Sequence, residues 1–155
     1  MNSIIEYILI FIGAAIPWIE AIIVIPIGII RGLHPVAVTI VAFCGNLLTI
    51  LLVVFFYEKM EEWMRKRREK KGTNNDITKK RFARAQRIWD KYGMPGLSII
   101  GPLLIGTHFT IFMTLALSSS KKASTWWMII SLLIWCLIAA IGFYYGLNLV
   151  SILRG

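Results

Sequence analysis

Residues 4–30 are apolar except at Glu6 and Glu20. The run is long enough to cross a bilayer once, which takes about 20 apolar residues. Gly13, Pro17, Pro26 and Gly28 interrupt it. Proline removes an N–H and clashes with the preceding turn, so a straight helix is disfavoured. One kinked spanning helix fits the pattern, and so does a re-entrant hairpin. The hairpin is the preferred reading, with a half-helix over 4–16, a turn near Pro17-Trp18, and a second half-helix from Ile19 that is disturbed at Pro26. Arg31-Gly32-Leu33-His34-Pro35 then forms a short polar turn at a membrane face.

Residues 36–57 make the plainest element, 22 residues without a charge. They give about 33 Å of helix and end on Phe55-Phe56-Tyr57, an aromatic cluster suited to the headgroup layer. Gly45-Asn46 lies near the centre, where glycine permits close helix approach and asparagine either bonds across helices or lines a polar cavity. From Glu58 to Lys71 the pattern predicts a charged helical extension. Its i,i+4 pairs are Glu61–Arg65 and Glu62–Lys66, and its apolar stripe is Met60, Trp63 and Met64. Gly72-Thr73-Asn74-Asn75 predicts a turn, with Asp76 as cap of the next helix.

That helix, 77–92, carries an apolar stripe of Phe82, Ala85, Trp89 and Tyr92 beside Lys79, Lys80, Arg81, Arg84, Arg87 and Lys91. An aromatic stripe beside a basic face describes a helix lying on anionic lipid. On that reading Arg81, Arg84, Arg87 and Trp89 contact the membrane interface. The plain alternative is topology charge without bound lipid. Gly93 ends the helix.

A second interrupted segment runs from Gly93 to Leu117 without a formal charge, with Pro95, Pro102, Gly96, Gly101 and Gly106 inside it. Ser118-Ser119-Ser120-Lys121-Lys122 closes it at a membrane face. Residues 124–150 form the second clean span, with Trp126-Trp127 at one end and Tyr144-Tyr145 at the other. Gly142 and Gly146 have GxxxG spacing, which allows either an internal close contact or a homo-oligomer.

Composition fits this picture. The chain of 155 residues is 57% hydrophobic and 16% charged, where soluble domains carry about 25% charge; its mean hydropathy is +0.72. The fold class is an all-α integral membrane protein, a single membrane domain over 1–155. It divides into a first half 1–57, a basic cytoplasmic loop 58–92 and a second half 93–155. The net charge of +9 does not point to nucleic acid, because thirteen of the seventeen Lys and Arg fall between Glu58 and Lys91. Basic residues gathered in one loop between apolar spans follow the positive-inside rule. The expected location is the cell membrane, multi-pass. Cys44 and Cys136 each sit inside an apolar run and read as small buried hydrophobes.

The order is interrupted segment, clean span, basic loop, interrupted segment, clean span. Interruptions at matching places in two halves point to a transport site near the midplane. With the basic loop cytoplasmic, hairpins entering from opposite sides give an inverted repeat and put both termini outside. Spanning segments would instead place Lys121-Lys122 outside, against the charge rule.

Candidate chemistry begins with Glu20, a carboxylate inside an apolar run. Such a group is costly there and marks a functional site by default. It is the candidate for binding and releasing protons, with a protonated Glu making one helix–helix bond as the plain alternative. His108 titrates in a useful range, although a satisfied core histidine is the preferred reading of that position. Arg31, Asn46, Thr107 and Thr110, with Pro26 and Pro102 at the interruptions, complete the substrate- and proton-binding set. The sequence has no nucleophile–base pair, metal cluster or phosphate loop. Nothing in it asks for an enzyme, a metal or another cofactor.

A carboxylate six residues before a proline in such a hairpin, followed by a second Pro/Gly hairpin, resembles the DedA-like (VTT-domain) membrane proteins. More closely, the chain is similar to the small multidrug export proteins, whose first half carries Glu-x-Arg-Gly-x-Ile-Pro-x-Gly. Glu20, Ile25, Pro26 and Gly28 match, while Ile22 and Ile23 stand where that family has Arg and Gly. Pro102, Leu103, Gly106, Thr107 and Thr110 resemble its second-half stretch, with His108 as an additional polar group. The resemblance implies transport coupled to protons through Glu20. The first substrate it implies is a lipid phosphate such as undecaprenyl phosphate, with Arg31 supplying the charge of the missing arginine. Its alternative is a small cationic or hydrophobic drug. A non-transport structural or assembly role remains a third reading. The implied partners are membrane lipids and the transported compound.

Overall fold

The computed structural model describes residues 3–16, 19–71 and 76–154. Among them the chain is helical throughout, with α1 (Ser3–Ala15), α2 (Glu20–Ile30), α3 (Pro35–Lys71), α4 (Asp76–Ile105), α5 (Thr107–Leu117) and α6 (Lys121–Arg154). Two helices are long and apolar enough to cross a membrane, over Pro35–Trp63 and Lys121–Gly146. Many large apolar side chains stand outward, among them Ile4, Ile8 and Ile12 on α1, Ile23 and Ile27 on α2, Ile40 on α3, and Leu137 and Ile141 on α6. So much exposed hydrocarbon does not suit a water-facing surface. The turns expected at Pro17-Trp18 and over 72–75, the Asp76 cap and the Glu61–Arg65 pair lie outside the described residues. The Glu62–Lys66 pair is formed, at 2.8 Å.

By internal packing the chain divides into two compact units, one of Met1–Thr49 with Ile129–Gly155 and one of Ile50–Met128. In the first unit, α1 and α2 fold back on each other. Arg31 meets Glu6, a Cβ on Gly28 would touch Ile10, and one on Gly13 would touch Val24. Residue numbers rise along α1 as they fall along α2, which defines an antiparallel helical hairpin. Pro26 stays inside α2, so the expected disturbance does not end the helix. The helix ends instead in a Schellman motif: Leu33 N–H donates to the Gly28 carbonyl at 3.1 Å and Gly32 N–H to that of Ile29 at 3.0 Å. Pro35 then opens α3, where a missing N–H costs nothing.

The second unit holds a second hairpin. Gly93 (φ 65°, ψ −158°) breaks α4 into 76–92 and 94–105, and Gly106 (φ 92°, ψ 148°) separates the latter part from α5. Both conformations are essentially restricted to glycine. The packing of Gly101 against Thr110 shows that 94–105 and α5 run antiparallel about Gly106. The core here is Ala85, Leu97, Ile105 and Met113, covered by Ile88, Trp89, Phe109, Phe112 and Leu117. Ser120 caps α6 by accepting from Ala123 N–H at 3.3 Å, and Lys121 pairs with Glu58. No atom lies within 4 Å of where a Cβ on Gly142 or Gly146 would sit. The internal contact that the GxxxG spacing allows is therefore not made at those two positions.

Candidate functional site

Glu20 occupies the first position of α2 with φ 50° and is buried, 8% exposed. The left-handed region costs a non-glycine residue of the order of 1 kcal/mol or more, and such strain persists only where the surroundings impose it. The preceding turn is tight: the Ile16 carbonyl accepts from Ile19 N–H at 3.1 Å and Glu20 N–H at 3.3 Å. The sequence therefore folds so that the carboxylate stands at the tip of the first hairpin.

Besides α1, α2 also touches α3. A Cβ on Gly28 would come within 2.7 Å of Val38 Cγ1, so the two helices touch closely at that level. They run antiparallel. Glu20, Val24 and Gly28 stand at i,i+4 spacing on α2, as do Val38, Ala42 and Asn46 on α3. All six positions are buried. Val24 packs against Gly13 of α1, and Gly45, beside Asn46, against Phe11 and Ala14 of the same helix. Asn46 is fully buried, and neither amide atom has a hydrogen-bond partner among the described residues. The interhelical bond expected as its structural role is not made. Its backbone carbonyl accepts from the Thr49 hydroxyl at 2.8 Å.

Helix rise gives the distance of these residues from the α2–α3 turn. From Arg31 to Glu20 along α2, and from Pro35 to Asn46 along α3, the axial distance is about 16 Å. That is close to half of a hydrocarbon core about 30 Å thick.

Arg31 is the main correction to the expected site. It caps the far end of α2 from Glu20 and its guanidinium donates to Glu6 Oε1 at 3.0 Å. It cannot supply positive charge beside Glu20. At the same end, His34 N–H donates to the Tyr7 hydroxyl at 3.3 Å. With the Arg31 side chain 51% exposed, the pair contributes less than about 1 kcal/mol. Arg31→Ala is expected to leave the melting temperature in detergent within about 3 °C of wild type.

The remaining candidates fall in the other unit. Thr110 and Thr114 turn their hydroxyls onto their own helix, donating to the Gly106 and Thr110 carbonyls at 2.8 Å each. Thr110 thus acts first as packing against Gly101. Thr107 is buried and His108 half-buried in the first turn of α5, while Pro102 is buried inside the second part of α4. Arg84 and Arg87 are exposed and Arg81 is half-buried. Trp89 corrects the expected lipid-facing stripe: with Ala85 it is taken up by the core of its own unit, leaving Phe82 and Tyr92 outward.

Two buried hydroxyls escaped the sequence reading. Ser131 in the first unit and Ser98 in the second are both fully buried without a hydrogen-bond partner among the described residues. The available signal was a lone hydroxyl inside an apolar run. The first unit also contains a groove of about 520 Å³ between α3 and α6, lined by Ile40, Phe43, Leu133, Cys136 and Leu137, with Tyr144 and Tyr145 along its length.

Residues 20–138 match the family described as "Putative small multi-drug export protein". The match opens on Glu20 and takes in α2, α3, the whole second hairpin and the first half of α6. No curated protein matches the chain, and no solved structure does.

Proposed function

We infer the function from one premise: the chain belongs to the small multi-drug export family, matched over residues 20–138. On that premise it is a membrane transporter that exports small hydrophobic or cationic compounds, with Glu20 binding and releasing the coupling proton. The observation that carries this reading is the buried carboxylate at the tip of a hairpin whose two arms are each too short to cross a bilayer. α1 has 13 residues and α2 has 11, against the 17 or more that a span requires. A carboxylate is costly to hold in such a place, and one kept there marks a functional site.

The groove between α3 and α6 supports a hydrophobic substrate. Its volume lies within the range of small-molecule sites, about 300–1,000 Å³, and its walls are aliphatic and aromatic. The faces of Phe43, Tyr144 and Tyr145 suit an organic cation. Translocation of a lipid phosphate is the weaker reading. It asked Arg31 to hold the anion beside Glu20, and Arg31 is engaged with Glu6 at the other end of the helix. The DedA-like comparison has no support beyond the proline spacing that suggested it.

In this reading both hairpins are re-entrant, entering from opposite faces as an inverted repeat, and the basic segment 58–92 is cytoplasmic. Two measurements test it. Purified protein in liposomes should expel a fluorescent lipophilic cation when a pH gradient is imposed, and protein that leaves the dye level of empty liposomes unchanged would defeat the reading. With Cys44 and Cys136 replaced by Ala, a cysteine at Ser3 should react with an impermeant maleimide from the side opposite to one at Lys80. Labelling of both from one face would mean that the first hairpin crosses the membrane.

A further inference from the structure

We infer that the face of α4 formed by Lys80, Arg84, Arg87 and Lys91 is a docking surface for the headgroups of anionic phospholipids. The inference goes beyond the transport reading: it uses the placement of 58–92 at the cytoplasmic face and does not depend on what is exported. The four cations stand at i, i+4, i+7 and i+11, and all four are exposed. Positions so spaced fall within about 60° of arc on an ideal helix, so they make one stripe. Ala85 and Trp89 point elsewhere, into the core of their own unit. Each neighbouring pair along the stripe is i,i+3 or i,i+4 and like-charged, a spacing at which like charges destabilise a helix. Among the described residues none of the four forms an ion pair. Asp90, on the next face, accepts from the Gln86 amide at 2.9 Å. A layer of anionic headgroups supplies the counter-charge that the helix itself does not.

Contacts inside the second unit put this segment at the level of the headgroups. Phe112 covers the core that holds Ala85, and its ring lies 5.2 Å from that of Tyr57. Tyr57 ends the uncharged run of α3. Glu58, the next residue, pairs with Lys121, where α6 begins. Leu117, the last residue of α5, covers the same core. The segment is thus tied to the place where the apolar runs of α3, α5 and α6 all give way to polar residues. In a membrane protein that place is the interfacial layer.

The aromatic residues of this unit decide between kinds of partner. Phe55, Phe56, Tyr92 and Trp126 are all exposed. Lys59 Nζ stands 5.9 Å from the Phe56 ring centre, and Lys91 Nζ 5.1 Å from that of Tyr92. A ring with an ammonium above it presents an apolar body and a charged tip, which suits a boundary between hydrocarbon and headgroups. An acidic protein or a nucleic acid would use the cations alone, whereas an anionic lipid surface uses the cations and the rings together. The guanidinium groups of Arg84 and Arg87 offer paired N–H donors to phosphate oxygens, and Lys80 and Lys91 offer compact charge.

The test is the melting temperature of the purified protein in detergent micelles, with equal amounts of added phosphatidylglycerol or phosphatidylcholine. Phosphatidylglycerol should raise it by about 5 °C more than phosphatidylcholine does, and about 0.5 M NaCl should remove most of that difference. With Lys80→Gln, Arg84→Gln, Arg87→Gln and Lys91→Gln together, less than half of the difference should remain. Arg84→Gln with Arg87→Gln should fall between the two, and carries the test if the fourfold variant does not fold. An undiminished difference in the folded variant would overturn the inference, as would equal effects of the two lipids on wild type. Inorganic phosphate should leave the melting temperature unchanged; a rise equal to that with phosphatidylglycerol would mean a site for free anions and not for lipid. A second measurement reports position. With Cys44 and Cys136 replaced by Ala, a bimane on Ala83→Cys, beside the stripe, should be quenched by lipid spin-labelled at the headgroup in phosphatidylglycerol liposomes. An unquenched bimane would place the stripe away from the membrane and overturn the inference. Dye efflux separates this surface from the transport reading: wild type that shows the lipid effect without expelling dye leaves the surface standing and removes only the exporter.

Discussion

Glu20→Gln is expected to reduce pH-driven efflux by at least tenfold while leaving a protein that elutes and melts like wild type. The substitution keeps size and shape and removes only the capacity to take up and release a proton. The amide matches the carboxyl group in volume, and volume-conserving changes cost little in folding. All of the loss should therefore appear in turnover and in its response to pH: the wild-type rate rises with the imposed gradient, and the variant gives a flat, low line. The matching measurement is dye efflux from liposomes at several internal pH values with equal protein in each. Wild-type rates in the variant would exclude Glu20 from coupling, however buried it is.

The largest effect on stability is expected at Gly45. A Cβ there would overlap the carbonyl oxygen of Phe11 and come within 3.2 Å of the Ala14 side chain. The obstacle is backbone on α1, which no rotamer change can relieve, so α1 and α3 would have to separate. Overpacking of this kind costs about 1–3 kcal/mol and at times more. Gly45→Leu should lower the melting temperature in detergent by about 10 °C or prevent recovery of monodisperse protein. Gly142→Leu on α6 is the control: no atom lies within 4 Å of that added Cβ, and its melting temperature should stay within about 2 °C of wild type. Equal losses in the two variants would mean that glycine content as such, and not close approach at Gly45, sets stability.

Much of the helical layout was legible because hydrophobic run lengths and breakers act locally. The spans around 36–57 and 124–150, the charged continuation of α3 and the stop at Gly93 all follow from patterns a few residues wide. The prolines were poorer guides. Pro95 falls in the first turn after the Gly93 break, where it costs nothing, and Pro26 and Pro102 stay inside helices. The second reversal is made by Gly106, whose backbone conformation leaves no mark in hydropathy. Glu20 stood out because a charge in an apolar run is conspicuous. The packing around it did not, since register between helices depends on which side chains touch, here Gly28 against Val38 and Gly13 against Val24. Arg31 shows the same limit: charge was legible, but its partner, Glu6, lies 25 residues earlier in the chain.

The brevity of α1 and α2 bears on how the protein is made. Neither arm is long enough to leave a translocation channel for lipid as an anchor, and Glu20 is buried at their tip. Among the described helices, α3 is the first that is long and apolar enough to serve as one. A nascent chain halted at residue 34 should remain extractable by alkaline carbonate, and one halted after residue 71 should resist extraction, so the N-terminal hairpin is committed to the membrane only when the helix behind it arrives.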